Sequence, residues 1–218
     1  MDPMAAVKVE TRKRLTREER RRETRERLID GAQAVFAERG FHGASVEEIA
    51  ERAGYTRGAF YSNFDGKDEV LLALYDRRID TEIADVSKMV SSAASPTELL
   101  AALRGRAASP FDLAWHMLSL ELALYAMRNP RVRPKFAKRM RALRRAYERG
   151  IKAQFALAGI EPPAPLAHLA LILQALDEGI PTQHAIDPTA VGRDSFFDAI
   201  TLLFEAAASL SRSREGTS

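Results

Sequence analysis

Helix punctuation constrains this chain more than any other feature. Thr16 with Glu19 and Ser45 with Glu48 both fit the S/T-x-x-E capping box. In that motif the hydroxyl takes an orphan amide at the helix start and the carboxylate returns to the cap residue's own amide. Between and beyond these signals apolar residues recur three and four apart. Leu28, Ala32, Val35 and Phe36 stripe a first helix, and Gly40 then Phe41 suit a Schellman ending. A second helix from Ser45 stops at Gly54, Thr56 can cap a third to about Asn63, and Asp65 or Gly66 a fourth to about Val90. Ser95-Pro96 opens a helix to about Ala107. The segment Phe111 to Arg128 is apolar nearly all round, which predicts a central, buried helix. Residues 131–157, 165–184 and 194–211 carry further stripes. The expectation is an all-α fold of about nine helices.

Charge does not decide the function. The net charge is only +3 over 218 residues, so placement matters more than total. Residues 1–27 hold 10 Lys/Arg against 6 Asp/Glu, and residues 28–80 hold 6 against 10. Residues 128–152 hold 11 Lys/Arg and a single acid, Glu148. Their apolar stripe is clean, so this basic run reads as a solvated helix face. With no cysteine there is no disulfide framework or thiolate metal site, which suits a reducing cytoplasm. No apolar run approaches the roughly 18 residues of a membrane span, and the start lacks the apolar stretch of a secretory signal. The expected location is cytoplasmic.

The stretch SVEEIAERAGYTRGAFYSNF, Ser45 to Phe64, holds two helices too short to stand alone in water. A helix-turn-helix accounts for them. Ala50 is small where the second helix crosses, Gly54 tolerates positive φ, and Val46, Ile49, Ala53, Tyr55 and Phe60 anchor the pair from beneath. The second helix would then project Thr56, Arg57, Gly58 and Ala59 into a DNA major groove. Gly58 and Ala59 are small enough for close backbone approach, and Arg57 can reach guanine O6 and N7. Tyr61, Asn63 and Lys67 can donate to phosphates, Lys67 from a helix N-terminus that favours anions. An ordinary helical hairpin, with Tyr61 half-buried and Lys67 a plain surface charge, fits the same spacing.

The segment SVEEIAERAGYTRGAFYSNFDGKDEVLLALYDRR resembles the DNA-binding segment of the TetR family of bacterial repressors, above all in Thr56 through Lys67. The lead-in RERLIDGAQAVFAERGFHGASVEEIA and the later LDEGIPTQHAIDP are also similar to family segments. The close similarity covers roughly residues 24–80. It implies an all-helical homodimer with a small-molecule pocket in each C-terminal part. Carried over by position, base contacts fall on Arg57, Gly58, Ala59 and Ser62, and backbone contacts on Ser45, Tyr61, Asn63 and Lys67. Many members have His where this chain has Asn63, so that contact carries no charge here.

Other chemistry is sparse. His42, His116, His168 and His184 include no pair at i, i+3 or i+4, so no metal site is expected. His116 and Glu121 are five apart, about 140° round the helix, and do not converge. No nucleophile motif or nucleotide-binding fingerprint occurs, so neither enzyme nor cofactor is expected. Trp115, His116, Glu121, Tyr125 and Phe155, with Gln174 and Asp177, are the candidate ligand contacts. The last two are polar groups in a strongly apolar helix, where something must satisfy them. Leu169, Leu173, Leu176 and Ile180, with Ile200, Leu203, Phe204 and Ala207, are the expected dimer face, two helices per chain forming a four-helix bundle.

The expected division is a basic arm over 1–15, a helix-turn-helix domain over 16–65 and a helical regulatory and dimerisation domain over 66–218. The expected function is ligand-responsive repression: the dimer binds a palindromic operator and a small molecule releases it. The same fold acting as an activator or constitutive binder is the nearest rival.

Overall fold

The computed structural model describes residues 16–105 and 113–215. Among the described residues there are nine helices and no strand. They are α1 (Arg17–Gly43), α2 (Val46–Arg52), α3 (Arg57–Tyr61), α4 (Lys67–Ser92), α5 (Pro96–Gly105), α6 (Leu113–Arg128), α7 (Arg133–Ala158), α8 (Leu166–Ile186) and α9 (Ser195–Glu215). The basic arm, the stretch around Phe111 and the expected helix end near Ala107 lie outside the described residues.

Both capping boxes form. The Glu19 amide donates to the Thr16 hydroxyl at 3.1 Å, and the Thr16 amide to the Glu19 carboxylate at 2.7 Å. At α2 the reciprocal pair spans 3.2 and 3.0 Å between Ser45 and Glu48. The Schellman ending does not form. Gly40 has φ 67° but ψ 175°, so the chain kinks there instead of closing a left-handed turn. The Phe41 amide donates to the Glu121 carboxylate of α6 at 2.5 Å. A side chain at residue 40 would place its Cβ 2.8 Å from a Glu121 oxygen, so glycine is needed for both the φ and the space.

The short helices stand because α1 and α4 carry them. Ile49, Ala50 and Phe60 are fully buried with Leu28, Ala32, Val35 and Phe36 of α1 and Val70, Leu71 and Leu74 of α4. Burying a side chain such as Phe60 or Ile49 contributes roughly 1.5–3 kcal/mol, which offsets the poor intrinsic stability of five- and seven-residue helices. A Cβ at Gly31 would meet the Ile49 carbonyl at 2.8 Å, so the crossing of α1 over α2 is closer than any side chain there allows.

The core runs without a break from this head into α6 and α7, through Phe41, Tyr75, Leu118, Leu122, Ala126 and Leu143. Helix α7 packs on α4 and α8, and α8 on α9. The basic run is only partly a solvated face. Arg139 pairs with Asp76 of α4, and Arg144 donates to Gln174 of α8 at 2.9 Å. Helix α6 is not the wholly buried helix its composition predicts. Leu118, Leu122 and Ala126 face inward, but Leu113, Met117, Leu120, Leu124 and Met127 form an exposed stripe. One face of α6 packs on α1, α7 and α8, and the other apolar face has no neighbour among the described residues.

Candidate functional site

The exposed face of α3 carries Arg57, Gly58 and Tyr61, flanked by Thr56 and Ser62. This face exists because Phe60 points the other way, into the core, its ring 5.6 Å from those of Tyr61, edge-on, and Phe64, tilted. Gly54, at φ 76°, turns the chain between α2 and α3, and the Tyr55 amide closes the turn on the Ala50 carbonyl at 2.8 Å. Thr56 caps α3 by accepting from the Ala59 amide at 3.2 Å. A Cβ on Gly58 would meet nothing nearer than 3.8 Å within the chain, so nothing in the fold itself demands glycine there. Arg57 is solvent-exposed, pairs with Glu47 of α2 at 2.8 Å and lies 5.5 Å from the centre of the Tyr61 ring.

The remaining candidates for DNA contact carry hydrogen bonds within the protein. The Asn63 amide donates to the Ala59 carbonyl at 2.9 Å, and its own carbonyl oxygen is buried without a partner. Lys67 places its ammonium on the carbonyls of Phe41 (2.8 Å), Ala44 (3.0 Å) and His42 (3.3 Å). It therefore pins the start of α4 to the α1–α2 connection. Ser45 spends its hydroxyl on the capping box and on the Glu48 carboxylate at 2.8 Å. Ser62 donates its hydroxyl to the Gly58 carbonyl at 2.9 Å.

A second feature lies at the far end of α4. A cavity of about 450 Å³ opens between α4, α5, α7, α8 and α9, within the roughly 300–1,000 Å³ typical of small-molecule sites. Its wall is apolar apart from Glu82, Tyr147, Gln154 and Asp177. The Tyr147 hydroxyl donates to Asp177 at 2.7 Å, and Gln154 donates to the Pro96 carbonyl at 3.1 Å. Burial is the main cause that pushes the Asp177 carboxyl up to about 7, with Glu82 and Glu178 adding to it against the Tyr147 hydrogen bond. Tyr147 is pushed well above its ordinary value by burial and then by Asp177.

Of the expected ligand residues, the structure brings only Phe155 and Asp177 to this cavity. Trp115 stacks on Tyr75 at 5.4 Å, and Tyr125 packs on Phe41 at 5.0 Å. His116 bonds through Nε2 to the Thr182 hydroxyl at 2.9 Å, joining α6 to α8, and burial lowers its pKa. Glu121 holds the end of α1. Gln174 is satisfied by Arg144, by Glu178 at 2.9 Å and by the Met140 sulfur at 3.3 Å. Most of the residues expected at the dimer face also border the cavity. Leu169, Leu173, Ile200, Leu203, Phe204 and Ala207 line the cavity, while Leu176 and Ile180 are half-buried outside it. Among the exposed apolar residues of these helices, Leu171 and Ile186 on α8 and Leu202 on α9 lie outside the cavity, whereas Ile172, Leu203 and Leu210 also line it. Sequence reasoning missed Glu82, which has the signature of any charged residue on a surface helix.

Residues 28–74 match the family of bacterial regulatory proteins, tetR family. The chain is 24% identical over 177 residues to the HTH-type transcriptional repressor AcnR of Corynebacterium efficiens, covering 81% of this chain and 90% of that protein. Its fold resembles a transcriptional regulator from Saccharomonospora viridis in complex with choline, with a TM-score of 0.69 at 19% identity, over 84% of this chain and 96% of that one. It also resembles the regulator FadR of Bacillus subtilis in complex with stearoyl-CoA, with a TM-score of 0.66 at 18% identity, over 85% and 98%. No helix among the described residues is long and apolar enough to cross a membrane.

Proposed function

We propose that this chain, a transcriptional regulator of the TetR family, works as a ligand-responsive repressor whose residues 16–65 read DNA and whose residues 66–218 bind the effector and a second copy of the chain. The observation that carries the reading is the exposed face of α3. It offers one unburied guanidinium, one glycine with open space above it, and a half-exposed tyrosine. Arg57 reads guanine in the major groove, Gly58 and Ala59 let the backbone approach, and Tyr61, Thr56 and Ser62 lie along the phosphates. Arg57 must leave Glu47 to do so. That pair is exposed and screened by salt, so it is easily exchanged for a base edge or a phosphate. We assign Asn63, Ser45 and Lys67 a supporting role behind this face, because the side-chain amide nitrogen of Asn63, the Ser45 hydroxyl and the Lys67 ammonium already have partners in the fold.

The proposed effector site is the cavity beyond α4, in place of the residues on α6. Its wall includes Glu82, Val86 and Val90, near the end of the helix that begins at Lys67. Filling it shifts α4, and Lys67 carries the shift to the α1–α2 connection. A coupling of about 1–3 kcal/mol lowers operator affinity roughly 5–150-fold, and operator must weaken the effector by the same factor. The relatives with which the chain aligns are regulators, and we assign it no catalytic step.

The test is selection of bound duplexes from a random pool, followed by footprinting of the enriched sequence. A palindrome protected by wild type and lost with Arg57→Ala is the expected result. Enrichment of no sequence at low salt refutes the reading.

A further inference from the structure

We propose that the effector of this cavity is an uncharged molecule, an alkyl or aryl body carrying a hydroxyl or a comparable neutral oxygen group, and that the cavity discriminates against ions of either sign. The inference rests on the reading of the cavity as the effector site and names the chemistry of what fills it. The fold itself occupies the polar groups of the wall. The Tyr147 hydroxyl donates to Asp177, one N–H of Gln154 donates to the Pro96 carbonyl, and Glu82 has an interaction of its own within the chain. No Lys, Arg or His lines the space among the described residues.

An anionic head group would leave water with no cation to meet it and two acids in the same wall. A cationic one would meet carboxyls that already have partners: burial keeps Asp177 partly protonated at neutral pH, and the Tyr147 hydroxyl holds it. Moving an unpaired charge into such a wall is costly, whereas a hydroxyl needs only a hydrogen bond or two. A side-chain amide has a second N–H and a carbonyl oxygen, so Gln154 can serve a hydroxyl without releasing Pro96, and the Tyr147 oxygen can still accept. The entrance is no more polar. Ile172, Leu203 and Leu210 line the space and are also exposed, so a charge left at the mouth lies against hydrocarbon. Elsewhere in the wall the rings of Phe155 and Phe204 lie 5.2 Å apart and those of Phe196 and Phe197 5.3 Å apart, which suits an apolar body.

Octanol, octanoate and octyltrimethylammonium share one apolar chain and differ in head charge. Titrated calorimetrically into the full chain at neutral pH, octanol should bind about tenfold or more tighter than either ion. A variant places that binding. Gly150 shares the lining face of α7 with Tyr147 and Gln154, and a Cβ there would meet nothing within 4 Å, so Gly150→Phe narrows the cavity without a backbone clash. It should weaken octanol about tenfold or more. Gly150→Leu serves if the larger residue prevents folding, and if neither variant folds the order measured on wild type decides alone. Either ion matching octanol, no binding by any of the three, or octanol binding unchanged in the folded variant would overturn the inference. The same ligands added to the protein on its selected duplex separate the two readings. Release by octanol alone supports both. Release by either ion but not by octanol leaves the repressor and refutes the uncharged effector. Binding in the expected order with the duplex still bound supports the uncharged ligand and refutes ligand-responsive repression.

Discussion

At the scale of single residues, function here depends on which polar groups the fold leaves free. Arg57 pairs with Glu47, an exposed partner one helix away, and lies against the Tyr61 ring. Two outcomes follow. Arg57→Ala should lower affinity for the selected operator about 5–150-fold and relax the preference at one base pair. Glu47→Gln should tighten operator binding, because it removes a competitor for Arg57 and a negative charge beside the phosphates; gel-shift titration at fixed salt checks both. Asp177 is the opposite case, a carboxyl that burial keeps partly protonated at neutral pH. Its folded pKa of about 7 stands above the ordinary 3.8. The unfolded chain therefore loses this proton first as pH rises. Stability is undiminished below about 4, falls through the window from 4 to 7 by at most about 1.4 kcal/mol per pH unit, and then levels. Asp177→Asn removes that loss. Its melting temperature relative to wild type should rise between pH 5 and pH 8, and a constant difference across that range would show that Asp177 does not titrate there.

At the scale of elements, the sequence was most legible where one residue type has one use. Thr16 with Glu19, Ser45 with Glu48, and Gly54 each specify a cap or a turn, and the structure has them all. It was least legible where a helix is apolar on two faces. Helix α8 carries Leu169 and Leu173 on the cavity side and Leu171 on the exposed side. Periodicity gives the spacing of a face but not which face meets which neighbour. Polar residues are hard to read for a related reason: the partners that Glu121 and Lys67 have in the fold, the amide and carbonyl of Phe41, are backbone groups that every residue has. That junction joins α1, α4 and α6 at a single residue, and it makes a distinct prediction. If Lys67 is a clamp, Lys67→Ala should lower the melting temperature and weaken operator binding while the slope of log affinity against log salt stays the same. If its ammonium meets DNA instead, the slope falls by about one phosphate's worth and stability is little changed.

At the scale of the whole molecule, the apolar surface that one chain leaves open supports the proposed dimer as the working unit. Leu171 and Ile172 of α8, Leu202 and Leu210 of α9, and the α6 stripe from Leu113 to Met127 are all exposed. Small residues lie beside them on the exposed sides of α8 and α9, Ala175 and Gly179 on one and Ala206 on the other, so that helices of a second copy can approach closely. A two-fold axis through this surface would repeat α3 once per half-site, about 34–36 Å or somewhat more apart along the duplex. Light scattering should then give a mass near twice 24.2 kDa at micromolar concentration. Leu171→Glu with Leu202→Glu sets four like charges against one another across the axis and should yield a monomer. Because these positions lie outside the residues that line the cavity in the case of Leu171 and Leu202, the helices themselves should persist, which far-ultraviolet circular dichroism verifies. The monomer should lose operator binding by far more than one half-site's contacts, since the second recognition helix no longer binds as part of the same molecule. A folded monomer that still holds the palindrome as tightly as wild type would place dimerisation outside the mechanism of recognition.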